Sequence, residues 1–270
     1  MNITENGTYN LLGKIITVNV QGGSIPNNEI WYTSTDGNIV TPNNTSALPT
    51  IVSNTYSAGK GVIKCASDIT SIGETAFFDC TNLTSIEIPN SVTSIGNQAF
   101  FYCTNLTSIT IPNNVTSIGN QAFNYCNGLT SITIPNNVTS MGNYPFAYCS
   151  GLTNIVVEDG NPSYDSRENC NAIIETFYYS LVAGCRNTII PNSIKDIQTD
   201  AFAGCYDLTS IEIPNSVTSI GPGAFNDCSS LSSISYTGTI SQWNDITKGN
   251  IWNSGVPATV VHCSDGDVAI

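Results

Sequence analysis

The chain has 270 residues, with 7 basic and 20 acidic side chains and a formal net charge of −13. So few scattered basic side chains cannot neutralise a phosphate backbone, and nucleic acid is therefore not expected as a partner. The single histidine, His262, argues against most Ser/His/Asp triads and multi-histidine metal sites, while a hydrophobic fraction of 40% is ample for a packed core.

Residues 1–20 are predicted to form a short β segment ahead of the main body of the chain. Residues 3–9, followed by the apolar stretch at 15–20, resemble a β-motif of prophage tail and surface proteins from gut bacteria. The segment lacks a basic start and its apolar stretch is interrupted, so it does not look like a signal peptide. Residues 21–28 are predicted to be a linker. No run in the sequence approaches the ~20 consecutive apolar residues of a membrane-spanning helix.

A unit of 23 residues repeats along the centre of the chain. The motif SIGNQAF at residues 94–100 has copies that begin at residues 71, 117, 140, 196 and 219. The spacing Leu-x-x-Ile-x-Ile at residues 83–88 predicts a short strand with Ile86 and Ile88 facing inward, and Pro89 ends the strand. One such coil cannot bury its apolar side alone, but stacked coils can. The pattern therefore predicts a parallel β-solenoid.

The repeated unit resembles the BspA-like, or Treponema-type, leucine-rich repeat. The resemblance is carried by CTNLTSIEIP at residues 80–89, followed by Val92, Ile95 and the pair Ala99-Phe100. It extends from about residue 29 to residue 266. It implies a bacterial surface protein, extracellular or at the cell surface, that adheres to host proteins, host cells or other bacteria.

The resemblance also implies how the solenoid is organised. We place an N-terminal cap at 29–69, the repeat array at 70–240, and a C-terminal cap with a tail at 241–270. About ten extra residues lie between 141 and 197, where an irregular coil with a β-hairpin is expected at about 161–190. The predicted fold class is thus a β-rich leucine-rich-repeat solenoid of 23-residue coils with capping segments at both ends.

The ten cysteines do not read as a disulfide framework, because most of them are a feature of the repeat. Six occupy the same slot of successive units and are predicted to be a ladder of buried thiols: Cys80, Cys103, Cys126, Cys149, Cys205 and Cys228. A two-residue turn centred on Phe177-Tyr178 would bring Cys170 opposite Cys185. These two are either a disulfide or two further buried thiols.

The residue before the ladder cysteine is a tyrosine in three successive units, namely Tyr102, Tyr125 and Tyr148. If coils follow strand spacing, the three rings lie about 5 Å apart along one edge. Stacked phenols offer apolar faces and polar tips, which suit sugar rings or a protein hot spot. The alternative is that they pack on each other and shield the turn below.

A second candidate surface is the outer face of the predicted strands. It is rich in small hydroxyl side chains, including Ser108, Thr110, Ser131 and Thr133. Such a face can hydrogen-bond a glycan or an extended peptide. It can equally be a solvated face in which serine and threonine serve strand formation.

No arrangement of residues in the sequence points to catalysis, a cofactor or a metal, and we expect a protein that is not an enzyme. The predicted function is a recognition and adhesion module that binds an extracellular protein or glycan. One alternative is a phage or prophage tail-associated protein that reads a bacterial surface receptor. Lysis would release such a protein without a signal peptide, so the phage particle and the cytoplasm also fit as locations. A structural spacer without its own ligand is the other alternative, and the sequence carries no signal for an oligomeric state.

Overall fold

The computed structural model describes residues 25–270 in full and, ahead of them, the backbone of two strands. These strands are β1 (Gly7–Leu11) and β2 (Lys14–Val18), which pair antiparallel. Residues 1–6, 12–13 and 19–24 lie outside the described part of the chain, and they include half of the predicted linker and part of the prophage-like motif. The prophage resemblance therefore stays a prediction.

Three antiparallel strands cover the N-terminal end of the array. They are β3 (Glu29–Ser34), β4 (Ile51–Ser57) and β5 (Lys60–Cys65), with a 3-10 turn at Thr45–Ala47 between the first two. Strand β3 pairs with β5 on one side and, also antiparallel, with the first long strand of the array on the other. Ile30 and Ile63 are fully buried in this cap, so it hides the apolar edge of the first coil.

Each regular coil contributes one short strand and one longer strand, and the strands that pair between neighbouring coils run parallel. The short strands are β6 (Ser71–Ile72), β8 (Ser94–Ile95), β10 (Ser117–Ile118) and β12 (Ser140–Met141). The longer strands are β7 (Leu83–Glu87), β9 (Ser108–Thr110), β11 (Ser131–Ile134) and β13 (Asn154–Val157). Partners such as Ser94 and Ser117 are one repeat apart, so the predicted solenoid of 23-residue coils is confirmed.

A column of phenylalanine rings forms the centre of the core. Phe77, Phe100, Phe123 and Phe146 stack with ring centroids 5.3 to 5.4 Å apart and almost parallel planes. Phe202 and Phe225 form a second stack at 4.9 Å beyond the irregular coil. Inward isoleucines and leucines of the longer strands complete the core, because alternate strand residues face the same side.

The irregular coil interrupts the array after β13. It contains β14 (Tyr164–Asp165), a 3-10 turn at Arg167–Asn169, β15 (Ile173–Glu175) and β16 (Ser180–Ala183). Strands β15 and β16 form the expected hairpin, with Glu175 opposite Ser180, but a bulge between Ile173 and Ile174 shifts the register by one residue. Simple counting from the turn therefore does not place Cys170 directly opposite Cys185.

The array resumes with β17 (Asp196–Ile197), β18 (Ser210–Ile213), β19 (Ser219–Ile220) and β20 (Ser233–Tyr236). It is followed by the helix α1 (Ile240–Asp245) and then by β21 (Thr247–Lys248), β22 (Val260–Cys263) and β23 (Gly266–Ala269). Thr239 and Gln242 form a capping box at the start of the helix. Trp243 and Trp252 are buried and close this end of the core.

No helix in the described part of the chain has the length and apolar character to cross a membrane.

Two positions in each coil adopt left-handed backbone conformation, which the sequence pattern does not predict. One is the residue directly before the ladder cysteine, with φ between 56° and 72° in Asp79, Tyr102, Tyr125, Tyr148, Gly204 and Asp227. The other lies four residues earlier, as in Gln98 and Gln121. A non-glycine residue held there carries backbone strain of roughly 1–2 kcal/mol. The coil therefore turns at fixed points even where tyrosine occupies them.

Candidate functional site

The tyrosine ladder, which we define as Tyr102, Tyr125 and Tyr148, follows the coil-to-coil hydrogen bonding of the solenoid. The backbone N–H of Tyr102 donates to the carbonyl of Asn124 at 2.9 Å, and that of Tyr125 donates to Ala147 at 3.1 Å. The ring centroids of Tyr102 and Tyr125 are 5.0 Å apart, and those of Tyr125 and Tyr148 are 4.4 Å apart with nearly parallel planes. The repeat thus builds a continuous aromatic strip along one edge.

The ladder is packed on one side and open on the other. Phe101 lies 5.8 Å from both Tyr102 and Tyr125 and stacks in turn on Phe78, so the strip rests on an aromatic base. Tyr102 is 42% exposed, whereas Tyr125 and Tyr148 are half-buried. The structure thus shows that the rings pack on each other and on Phe101, while their role in binding stays a prediction.

Polar groups of a later coil close the far end of the ladder. The Tyr148 hydroxyl donates to Asp227 Oδ2 at 3.2 Å and accepts from Asn226 Nδ2 at 2.7 Å. The next coil has Gly204 at the ladder position, and a Cβ there would lie 2.5 Å from the Tyr148 ring. Any larger residue in place of Gly204 would therefore displace Tyr148 from these partners.

Burial and nearby carboxylates raise the pKa of three phenols on this surface, those of Tyr125, Tyr148 and Tyr206. Burial, with Asp227 second, raises the pKa of Tyr148, and burial with Tyr102 and Asp227 raises that of Tyr125. Burial also raises the pKa of Tyr206, a residue that is 38% exposed, and the phenol of Tyr125 adds to the shift. Sequence reasoning missed Tyr206 because it follows a ladder cysteine instead of preceding one. The surface combines aromatic faces with hydroxyl donors and acidic acceptors.

The hydroxyl-rich face is present as a row of exposed side chains on β9 and β11. Ser108, Thr110, Ser131 and Thr133 are all exposed. Within residues 25–270, none of these four side chains hydrogen-bonds another part of the protein. Other threonines of the repeat have a structural partner instead: the Thr107 hydroxyl donates to the carbonyl of Thr84 at 3.0 Å, and Thr116 repeats this contact to Thr93. The four exposed hydroxyls are therefore free to bind a partner or water.

The six ladder cysteines are buried free thiols in the structure. Their sulfur atoms act as donors to backbone carbonyls of the preceding coil, or of the N-terminal cap in the case of Cys80, a role that the sequence does not reveal. Cys103 Sγ lies 3.0 Å from the carbonyl oxygen of Phe77, and Cys126 and Cys149 repeat this contact to Phe100 and Phe123. Cys170 and Cys185 are also buried free thiols, each directed at a nearby carbonyl.

The thiol ladder makes stability sensitive to alkaline pH. Burial raises the pKa of the Cys149 and Cys228 thiols to about 12 and that of Cys80 to about 11. Because these pKa values exceed those of an unfolded thiol, the unfolded state loses protons first as the pH rises above about 9. The free energy of unfolding is therefore expected to fall as the pH rises through about 9 toward the folded-state values, and to be fully retained at neutral pH.

Urea denaturation at a series of pH values measures this effect. Cys149→Ala is expected to flatten the alkaline decline by about 1.4 kcal/mol per pH unit, because it removes one titrating thiol. The less buried Cys263, whose pKa burial also raises, provides the comparison, and Cys263→Ala is expected to flatten the decline less than Cys149→Ala. A free energy of unfolding that stays constant between pH 9 and 11 would contradict a protonated thiol ladder.

Sequence reasoning also missed an aromatic cluster at the tip of the β15–β16 hairpin. Phe177 is 80% exposed and Tyr178 is 63% exposed, and their rings meet edge to face at 4.8 Å. The guanidinium of Arg167 lies 5.2 Å from the ring of Tyr179. The sequence signal for this cluster is the tripeptide Phe-Tyr-Tyr, which was interpreted only as part of a turn.

Among the described residues no group of three or more His, Cys, Asp or Glu side chains is placed to hold a metal ion.

Several solved structures resemble the solenoid. A leucine-rich repeat protein from Eubacterium ventriosum matches with a TM-score of 0.58 and 24% identity, over 74% of this chain and 59% of that protein. One from Bacteroides ovatus matches at 22% identity over 82% of this chain and 65% of that protein, with a TM-score of 0.42. A leucine rich cell surface protein from Faecalibacterium prausnitzii matches at 22% identity over 74% of this chain and 90% of that protein, with a TM-score of 0.31.

These likenesses concern the fold alone, and this chain corresponds to 59% of the length of the Eubacterium protein. No curated protein matches the sequence. The profile of the BspA type leucine-rich repeat region matches six copies, over residues 56–172 and 172–249. The chain therefore belongs to the BspA-type leucine-rich repeat family.

Proposed function

We propose that the chain is a recognition module of a bacterial surface protein, and that it binds an extracellular protein or glycan through the tyrosine ladder. The observation that carries this proposal is the exposed aromatic strip of Tyr102, Tyr125 and Tyr148, with ring spacings of 5.0 and 4.4 Å. Membership of a family of repeat scaffolds supports a binding role over an enzymatic one.

The chemistry of the strip suits recognition better than packing alone. A tyrosine that served only the core would be hidden, yet 42% of Tyr102 is exposed and its neighbour Tyr125 is half-buried. Tyrosine dominates interface energetics because a rigid ring gives a large contact area and its hydroxyl gives direction. Phe101 beneath the strip holds the rings in place, so little side-chain entropy is lost when a partner binds.

The location of the module is part of the same proposal. The family resemblance supports the bacterial surface, where an extended solenoid edge is open to host proteins, other bacteria and their glycans. The net charge of −13 disfavours adsorption to anionic lipid or cell-wall polymers, so contact must come from specific side chains. The tyrosine ladder and the hydroxyl-rich face supply those side chains on adjoining parts of the repeat.

The test is a binding screen with the double variant Tyr102→Asn/Tyr125→Asn. Asparagine tolerates the left-handed backbone that both positions adopt, so the variant removes the rings without adding backbone strain. Tyr148 is left intact because its hydroxyl bonds Asn226 and Asp227. The screen uses a glycan array together with host and bacterial cells. Loss of two hot-spot rings is expected to weaken binding by about 30-fold or more.

A matched control separates recognition from a general loss of aromatic surface. Tyr178→Ser removes an exposed tyrosine from the hairpin tip, away from the ladder, and is expected to leave ladder binding unchanged. Circular dichroism of all variants checks that the solenoid is intact. Equal binding by the wild-type chain and the double variant would reject the ladder and direct attention to Ser108, Thr110, Ser131 and Thr133.

A further inference from the structure

The regular coils are joined at one corner by a repeated pair of hydrogen bonds. The Asn97 side chain accepts from the backbone N–H of Asn120 at 2.9 Å, and Asn120 accepts in the same way from Asn143 at 2.8 Å. Beside this chain of amides, the backbone N–H of Gln98 donates to Asn120, and that of Gln121 donates to Asn143. Each coil thus satisfies the polar groups of its neighbour at this corner.

The pattern stops at Asn143, where the irregular coil begins. By repeat position, Thr199 should take the place of the next asparagine, but neither the Asn143 side-chain oxygen nor the backbone N–H of Tyr144 reaches it. Within residues 25–270 these two groups have no protein hydrogen-bond partner, and neither does the carbonyl of Thr199. The pattern starts again one coil later, where the backbone N–H of Asp200 donates to Pro222 at 3.1 Å.

A cleft of about 410 Å³ lies at the break in the pattern, and a groove of equal volume follows the intact coils, so the lining distinguishes the cleft and its volume does not. Its walls are formed by Asn143, Tyr144, Asp196, Gln198, Thr199 and Gly221. This volume lies within the range of small-molecule binding sites. No residue of the tyrosine ladder contributes to the walls, so the cleft is a separate surface of the molecule.

Two wall residues are held in place by neighbours. The Gln198 side chain donates to Glu175 Oε2 of the hairpin at 3.4 Å, and the Asp196 carboxylate accepts from the Ser219 hydroxyl. Asp196 is also an exception within the repeat, because the other five copies of the motif begin with serine. Of the two coils that border the break, the one on the C-terminal side thus carries a carboxylate at this position.

The chemistry of the walls selects among ligand classes. One carboxylate, two amides, a hydroxyl and an unpartnered backbone N–H offer alternating donors and acceptors, while Tyr144 adds a ring. No basic side chain lines the cleft, which disfavours phosphates and carboxylates. A single carboxylate is too few for calcium, and the polar lining disfavours lipid. We propose that this cleft is a second binding site, which takes one or two units of an uncharged saccharide.

The test is a titration of the wild-type chain with millimolar concentrations of uncharged monosaccharides and disaccharides. Binding is monitored by nuclear magnetic resonance. The panel contains glucose, galactose, mannose and N-acetylglucosamine with their linked dimers. Asp196→Ser introduces the residue that the other repeats carry, so the fold is retained, and it removes a charged hydrogen bond. Binding is expected to weaken about tenfold or more.

Two further variants decide the result. Glu212→Ser removes the same charge from an exposed strand position of the adjacent face, and its binding is expected to equal that of the wild type. Tyr102→Asn/Tyr125→Asn is expected to retain saccharide binding at the cleft, which distinguishes this site from the tyrosine ladder. The proposal is overturned if no panel member binds the wild-type chain, or if Asp196→Ser and Glu212→Ser bind equally well.

Discussion

Substitution of Phe123 by alanine is expected to lower the free energy of unfolding by about 3–5 kcal/mol. Phe123 is fully buried, and its ring stacks on Phe100 and on Phe146 with centroid distances of 5.3 Å on both sides. Its removal creates a cavity at the centre of three coils, and neighbours fixed by coil-to-coil hydrogen bonds cannot collapse into it. Urea denaturation followed by circular dichroism measures the loss.

Phe177→Ala is the matched control for this substitution. It removes the same ring from the hairpin tip, where Phe177 is 80% exposed, and is expected to change stability by less than about 0.5 kcal/mol. Because stability in a repeat protein depends on contacts between neighbouring coils, the Phe123 substitution should weaken both interfaces at once. A loss below about 1 kcal/mol would show that the ring column is not the centre of the core.

A chain that ends at Ile240 is expected to aggregate, because it lacks the C-terminal cap. The cap covers the last coil in two ways: Trp252 meets the ring of Phe225 edge to face at 6.1 Å, and Val261 pairs with Ile234. Without the cap, the buried Phe225 and Ile234 face water as a broad apolar surface. Size-exclusion chromatography with light scattering, over a range of concentrations, compares the shortened chain with the full one.

The control for this truncation is a chain that ends at Asp265. It loses only the outermost strand β23 and keeps Trp243, Trp252 and the contact from Asp265 to the backbone of Ile240. We expect it to match the full chain in size. If the chain that ends at Ile240 has the same size and solubility as the full chain, then the segment after Ile240 is not a cap.

The repeat itself could be predicted from the sequence because its determinants are local. Ile86 and Ile95 are buried in the structure as the alternation and the 23-residue spacing require. Phe100 fills the centre of its coil for the same reason, since each coil must cover the apolar side of the next. Because every regular coil has the same apolar positions, the packing predicted for one coil also holds for the others.

The features that the sequence analysis missed depend on the exceptions to the repeat. The bulge between Ile173 and Ile174 changes the hairpin register, and residue counting assumes that no such bulge occurs. The left-handed backbone of Tyr102 has no sequence signal, because tyrosine rarely adopts it and the surrounding coils impose it. The cleft joins Asn143 to Asp196 across the irregular coil, and no sequence spacing connects the two.

We propose that the molecule recognises a partner through the tyrosine ladder and is more than a spacer. The most direct measurement is the side-by-side binding of the wild-type chain and Tyr102→Asn/Tyr125→Asn to the same glycan, host-cell and bacterial-cell panel. We predict selective binding by the wild-type chain and its loss, by about 30-fold or more, in a double variant that remains folded. Absence of any selective binding by the wild-type chain would contradict the claim and favour the spacer.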